Sequence, residues 1–238
     1  MAMKTVLHKK ESRGTGEYGW LSTRYSFSFG DWFEPSRMGF GALRVLNDDT
    51  IAPANGFGTH SHRDMEIITI VMKGVVTHKD SMGNIGTVPA GDVQVMSAGT
   101  GVAHSEYNDS SHEPLELFQI WIEPKAYELF PRYEQASFDF DKLTTGSVQL
   151  VGKDALSINQ DAGISFAVVE HGQTLSYSIT EGNGLYIFMI DGEASILDTE
   201  LGTKDALGVY EEDLILISSK TRGRMLLIEV PMVFQTEY

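Results

Sequence analysis

Short runs of apolar, largely β-branched residues, each stopped by a glycine turn, recur along this chain and leave little room for a helix. Residues 67–72 (IITIVM) end at Lys73-Gly74, and VVTH at 75–78 runs into Asp80-Ser81-Met82-Gly83-Asn84. Gly and Asn tolerate positive φ, so these are strand–turn–strand signals. Residues 93–96 follow Pro89-Ala90-Gly91-Asp92, and 115–122 alternate apolar with polar before becoming nearly all apolar. The best helical candidate is 124–130 (PKAYELF). Short strands at close spacing predict an all-β sandwich or barrel.

The pattern occurs twice. VMKGVV at 71–76 matches MIDGEA at 189–194 as strand, x-Gly turn, strand, and GDVQVM at 91–96 resembles EDLILI at 212–217. Between them, 131–146 (PRYEQASFDFDKLTTG) reads as a connector. The expectation is a duplicated β-barrel, with one domain over 1–134 and a second over 135–238.

Two pairs of ligand-type residues stand in the first copy: His60-x-His62 and His104-x-Glu106. Side chains two apart on a strand share a face, so each pair can aim two ligand atoms at one point. Three imidazoles and a carboxylate suit a first-row divalent metal. Structural zinc sites are usually cysteine-rich and closed, whereas a His/carboxylate set in a barrel mouth keeps positions for water or substrate, so an open site is expected. The second copy offers one histidine, His171, and no such pair, so metal is expected only in the N-terminal barrel.

Composition narrows the classes further. Of 238 residues none is cysteine, which removes disulfides, thiolate sites and Fe–S clusters. Thirty-three Asp and Glu against 18 Lys and Arg leave a formal charge of −15, which repels phosphate backbones. Direct nucleic-acid binding is therefore disfavoured. The start, MAMKTVLHKKESRG, lacks the apolar core of a secretory signal, and no apolar run is long enough to span a bilayer. A soluble, cytoplasmic monomer is expected, with no membrane partner.

These motifs resemble the cupin superfamily and, within it, the pirin family of bicupins. The cupin frame is visible as His60-x-His62-x-x-x-Glu66 and as Gly83-x5-Pro89-x-Gly91, but Gln94 stands where a cupin histidine is expected. Residues 96–106 (MSAGTGVAHSE), 19–49, 119–124 (QIWIEP) and 131–135 (PRYEQ) are also pirin-like. The resemblance implies a bicupin, two cupin β-barrels packed together, with ligands at His60, His62, His104 and Glu106. It implies one divalent metal, with Fe(II) preferred and Ni, Co, Mn, Cu or Zn able to use the same ligands. Some bacterial members resemble quercetin 2,3-dioxygenases, which open a flavonol ring with O₂ and release carbon monoxide. Eukaryotic members are described as iron-binding transcription cofactors. The resemblance thus implies a dioxygenase acting on a phenolic substrate and O₂. The alternative is a non-enzymatic, metal- or redox-responsive module with a protein partner.

In the first reading Glu106 is the catalytic residue, taking a proton from a substrate hydroxyl made acidic by the metal. Glu66 shares strand parity with the histidines but is read as a supporting carboxylate. Arg63 and Asp64 are read as an ion pair, and His8, His78, His112 and His171 as surface or structural. Gly99-Thr100-Gly101 is read as a loop that swings His104 into place. Phe57, Met72, Met96 and Phe118 are candidates to line an apolar pocket or fill the core.

Overall fold

Nearly every strand-like run becomes a strand in the structure, a computed structural model that describes residues 4–233. The first half carries β1 (Lys4–His8), β2 (Gly14–Glu17), β3 (Leu21–Tyr25), β4 (Leu43–Ile51), β5 (Asn55–His62) and β6 (Glu66–Lys73). It continues through β7 (Val75–Asp80), β8 (Ile85–Pro89), β9 (Asp92–Ser97), β10 (Val102–Asn108), β11 (Leu115–Ile122) and β12 (Arg132–Ser137). The second half carries β13 (Gly146–Val151), β14 (Gly163–Val169), β15 (Thr174–Ser178), β16 (Asn183–Asp191) and β17 (Ala194–Ile196). It ends with β18 (Thr199–Leu201), β19 (Ala206–Tyr210), β20 (Leu214–Ser219) and β21 (Gly223–Pro231).

Each half closes a large sheet over a small one. A seven-stranded sheet, β12-β9-β6-β11-β4-β3-β2, faces β5-β10-β7-β8. A six-stranded sheet, β1-β19-β16-β21-β14-β13, faces β15-β20-β17-β18. The duplicated turns coincide in detail: Gly74 and Gly192, each between two strands, both have φ of +82°. Only glycine adopts that conformation without strain.

The two large sheets pack back to back. Leu46, Ile68, Ile70, Val93, Val95 and Ile120 belong to one buried cluster with Phe166, Val168, Tyr186, Leu226 and Ile228. Phe118 meets Phe188 edge-on across this interface at 5.6 Å. The barrel interiors differ. The second is filled by one apolar cluster that includes Val169, Leu185, Ile187, Val209, Ile217 and Leu227. The first holds two smaller clusters, one around Val71, Val76 and Leu117 and one around Ile67, Met96 and Val102.

Three features differ from the sequence reading. Residues 124–130 form no helix: so short a segment closes few i→i−4 bonds, and its groups are engaged elsewhere. Glu128, at φ +58°, donates its N–H to Asp64, and Leu129 O accepts from Thr100 N. The connector contains strand β12, which pairs with β9 at the edge of the seven-stranded sheet, so the 134/135 division falls inside it. The alternation of Tyr133 and Gln135 is that of a strand, but it lacks apolar positions to announce it. Finally, β1 pairs with β19 and joins the second barrel's sheet.

His8 anchors that crossing. It is buried, and its Nδ1 lies 2.9 Å from the Tyr186 hydroxyl. Burial, with some help from the Arg37 charge, lowers its pKa to about 4. An ordinary unfolded histidine titrates near 6.5, so between those values the unfolded chain binds the extra proton and stability falls as pH falls. In metal-free protein, the drop in unfolding midpoint from pH 7 to pH 5 should be smaller in His8→Asn than in wild type. An equal drop in both would place that sensitivity elsewhere.

Candidate metal centre and substrate cavity

The register of β10 brings the ligand pairs together. His104 pairs with His60 and Val102 with His62, so three histidines project from two adjacent strands. Ring centroids stand 4.5 Å (His60–His104), 4.8 Å (His60–His62) and 4.9 Å (His62–His104) apart. One ring nitrogen from each lies within 4.8 Å of the others.

Their protonation suits ligation. His60 Nδ1 lies 2.8 Å from Gly58 O, which can only accept, so Nδ1 carries the proton and Nε2 keeps its lone pair. Burial, then the neighbouring His60, lowers the pKa of His62 to about 4. For His104 burial, then His60 and His62, lower it to about 3. His104 is 1 % exposed and neither ring nitrogen has a hydrogen-bond partner. Leaving such a group unpaired costs about 1–3 kcal/mol. Coordination of a divalent ion would satisfy one nitrogen, so the donor set fits a first-row metal.

Glu106 sits one step deeper. A bulge between His104 and Glu106 shifts the register so that Glu106 faces Phe57 on β5 and His78 on β7. Its carboxylate groups with His78 and His104, ligand atoms again within 4.8 Å, so the four expected ligands fall into two groups that share His104. The opposite sheet holds it: Oε1 accepts from Gln94 Nε2 (2.5 Å) and Thr69 Oγ1 (3.1 Å), and Oε2 from Gln119 Nε2 (3.1 Å). Gln119, Thr69 and Gln94 form one registered row across β11, β6 and β9. Burial raises the Glu106 pKa, against a lowering by His78 and these donors.

His78, read from the sequence as surface or structural, is not on the surface but beside Glu106 and His104. It is 1 % exposed, its Nε2 lies 3.2 Å from Asp80 Oδ2, and its Nδ1 is unpaired. It stacks on Tyr133 at 4.7 Å. His78-x-Asp80 repeats the two-residue spacing of the other pairs, which was the available signal. Glu66 goes the other way. The turn between β5 and β6, with Asp64 at φ +49°, breaks the parity, and Glu66 accepts from Ser97 (2.6 Å) and Asn159 (2.9 Å) beside the second half. Arg63 pairs with Asp64 at 3.1 Å, as expected, and also with Glu128 at 2.7 Å. His112 and His171 are exposed.

Gly99-Thr100-Gly101 leads directly into β10, as expected for a loop that delivers His104. At Gly99, φ is +44° and a Cβ would lie 1.9 Å from Leu129 O. Of the four candidate pocket residues only Phe57 lines the cavity; Met72, Met96 and Phe118 pack in the apolar clusters. That cavity, about 240 Å³, runs from the three histidines to Trp121, Phe29, Tyr25 and Asp49. A cleft of about 680 Å³ near Lys125, Gln149 and Glu229 is larger but holds no histidine. Its buried Glu229 already accepts from Tyr177, Thr180 N and Asn183.

Two cupin barrels back to back, the first with a histidine cluster opening on a small cavity, define a bicupin. Comparison with known proteins narrows the class. The Pirin family model matches residues 6–122 and the model described as quercetinase C-terminal cupin domain matches 151–230. The chain belongs to the pirin family. It is 42 % identical over 232 residues to the quercetin 2,3-dioxygenase of Escherichia coli K12, covering 95 % of this chain and 99 % of that protein. It is 38 % identical over 221 residues to a pirin-like protein of Caulobacter vibrioides, covering 91 % and 95 %. The crystal structure of bacterial pirin YhhW from Escherichia coli in complex with nickel(II) superposes with a TM-score of 0.91 at 39 % identity, covering 97 % of this chain and all of that one.

Proposed function

We propose that this protein is a metal-dependent dioxygenase that cleaves a flavonol-like substrate with O₂, using His60, His62, His104 and Glu106 around one divalent ion. The observation that carries this reading is His104, buried with two unpaired nitrogens in a three-histidine cluster at the end of a largely apolar cavity. Fe(II) is the favoured occupant, although the nickel(II) complex is that of a relative 39 % identical. No helix among the described residues is long and apolar enough to cross a membrane.

When bound, the ion supplies Lewis acidity and makes a substrate hydroxyl easier to deprotonate. The chain does the rest. Phe57, Phe29 and Trp121 give the cavity apolar walls that take a flat ring and exclude water. Glu106 receives the hydroxyl proton. Its Oε1 is engaged by two donors and its Oε2 by one, so Oε2 has the freer lone pair and is the accepting atom. Burial raises its proton affinity toward the range where a general base works best. Gln94, Thr69 and Gln119 hold the carboxylate at one orientation throughout.

Oxygen uptake by the metal-reconstituted protein across a panel of phenolics tests the reading. Oxygen consumption matched by flavonol loss and carbon monoxide release is expected. If no phenolic drives oxygen uptake, the protein is better read as a metal-responsive module that contacts another protein.

A further inference from the structure

The polar row that holds Glu106 continues past Gln119. Its next member is Asn47 on β4, and two residues along the same strand Asp49 stands opposite Thr23 on β3. Thr23, Asn47 and Asp49 line the same cavity as His60, His62 and His104. They are 1, 3 and 3 % exposed, yet Thr23 Oγ1, Asn47 Oδ1 and Asp49 Oδ1 have no hydrogen-bond partner. The difference within the row is sharp: Thr69, Gln94 and Gln119 are committed to Glu106, whereas Thr23 and Asp49 at the β3–β4 end interact with each other and the neighbouring Tyr25, and Asn47 Oδ1 and Asp49 Oδ1 stay unpaired.

The fold does not require polarity there. The large sheet of the second barrel turns Leu185, Ile187, Val209 and Leu227 inward and closes a continuous apolar core. An orphaned buried polar atom costs about 1–3 kcal/mol, and native structures contain few of them. Three at one end of one cavity mark groups waiting for a ligand. The amide oxygen can only accept; the threonine hydroxyl can accept as well, and so can the Asp49 carboxyl, whose pKa burial raises to about 7. They demand a ligand that donates hydrogens. The histidine end makes the opposite demand, since oxygens facing a metal must offer lone pairs.

We propose that Thr23, Asn47 and Asp49 form a hydroxyl-binding subsite, which selects aromatic substrates carrying O–H groups away from the oxygens that face His60, His62 and His104. The proposal rests on reading this cavity as a substrate site. It does not depend on what reaction follows. A hydrophobic wall discriminates weakly between analogues that differ by a hydroxyl. A site with buried groups built to pair with that hydroxyl rejects the analogue lacking it, because those groups stay unpaired.

The test is calorimetric titration of the metal-loaded protein under nitrogen, so that binding is read apart from turnover. The probes are quercetin and 3-hydroxyflavone; the second keeps the oxygens expected to face the histidines but lacks the other ring hydroxyls. Wild type should bind quercetin at least about tenfold more tightly. Asp49→Leu and Asn47→Leu should each reduce that ratio severalfold, by weakening quercetin and leaving 3-hydroxyflavone unchanged or improved. Thr23→Val, which keeps the shape, gives the same readout if the larger changes prevent folding. A purely structural role would weaken both ligands together. Equal affinities in wild type, an unchanged ratio in the folded variants, or no binding of either probe would overturn the subsite. If the ratio behaves as expected but no oxygen is consumed in air, the dioxygenase reading falls and the subsite stands.

Discussion

Replacing His104 by alanine is expected to reduce bound metal from about one ion per chain to below about a tenth, because it removes a strong coordinate bond and the one imidazole that both ligand groups share. Elemental analysis of purified wild type and variant measures this. Metal that binds only the folded state raises the unfolding midpoint, so metal addition should stabilise wild type and leave His104→Ala unmoved. His60→Ala and His78→Ala then separate the two groups. With the ion at the three-histidine cluster, His60→Ala loses it and His78→Ala largely retains it. With the ion at His78, His104 and Glu106, the outcome reverses. Unchanged metal in His104→Ala would end the assignment altogether, and His171→Ala, altered on an exposed residue of the second half, serves as the control.

The histidine cluster was legible in the sequence because strand parity is a rigid rule: His60 and His62 share a face wherever β5 lies, and so do His104 and Glu106. The duplication was legible for the same reason, through a glycine that must turn between two strands at Gly74 and again at Gly192. What escaped was set by other strands. Parity carried across the β5–β6 turn placed Glu66 near the histidines, but a left-handed residue at Asp64 reversed it. His78 looked peripheral because its partners, Tyr133 and Glu106, come from β12 and β10. The polar row was least visible of all. Asn47, Gln119, Thr69 and Gln94 sit on four strands far apart in the chain, and only the register aligns them.

Glu106→Gln should lower flavonol turnover by about two orders of magnitude or more, the scale of a positioned general base, while leaving most of the metal in place. The three histidines remain, and an amide oxygen can still coordinate. Two losses add up at this position. The amide cannot take the substrate proton, and its NH₂ must face either Gln94 and Thr69 or Gln119, all of which now donate to the carboxylate. A donor facing a donor is relieved only if Gln94 or Gln119 turns its own amide over. A double variant that replaces the facing glutamine by glutamate therefore separates the effects. Gln119→Glu with Glu106→Gln restores an acceptor beside the new amide but puts the negative charge on the other sheet. It should recover stability and keep the metal without recovering the rate. If Glu106→Gln alone keeps both its metal and the full rate of flavonol loss and oxygen uptake, Glu106 is not the base. If the double variant regains the rate, the requirement is for a negative charge in this pocket and not for a proton acceptor at Glu106 Oε2.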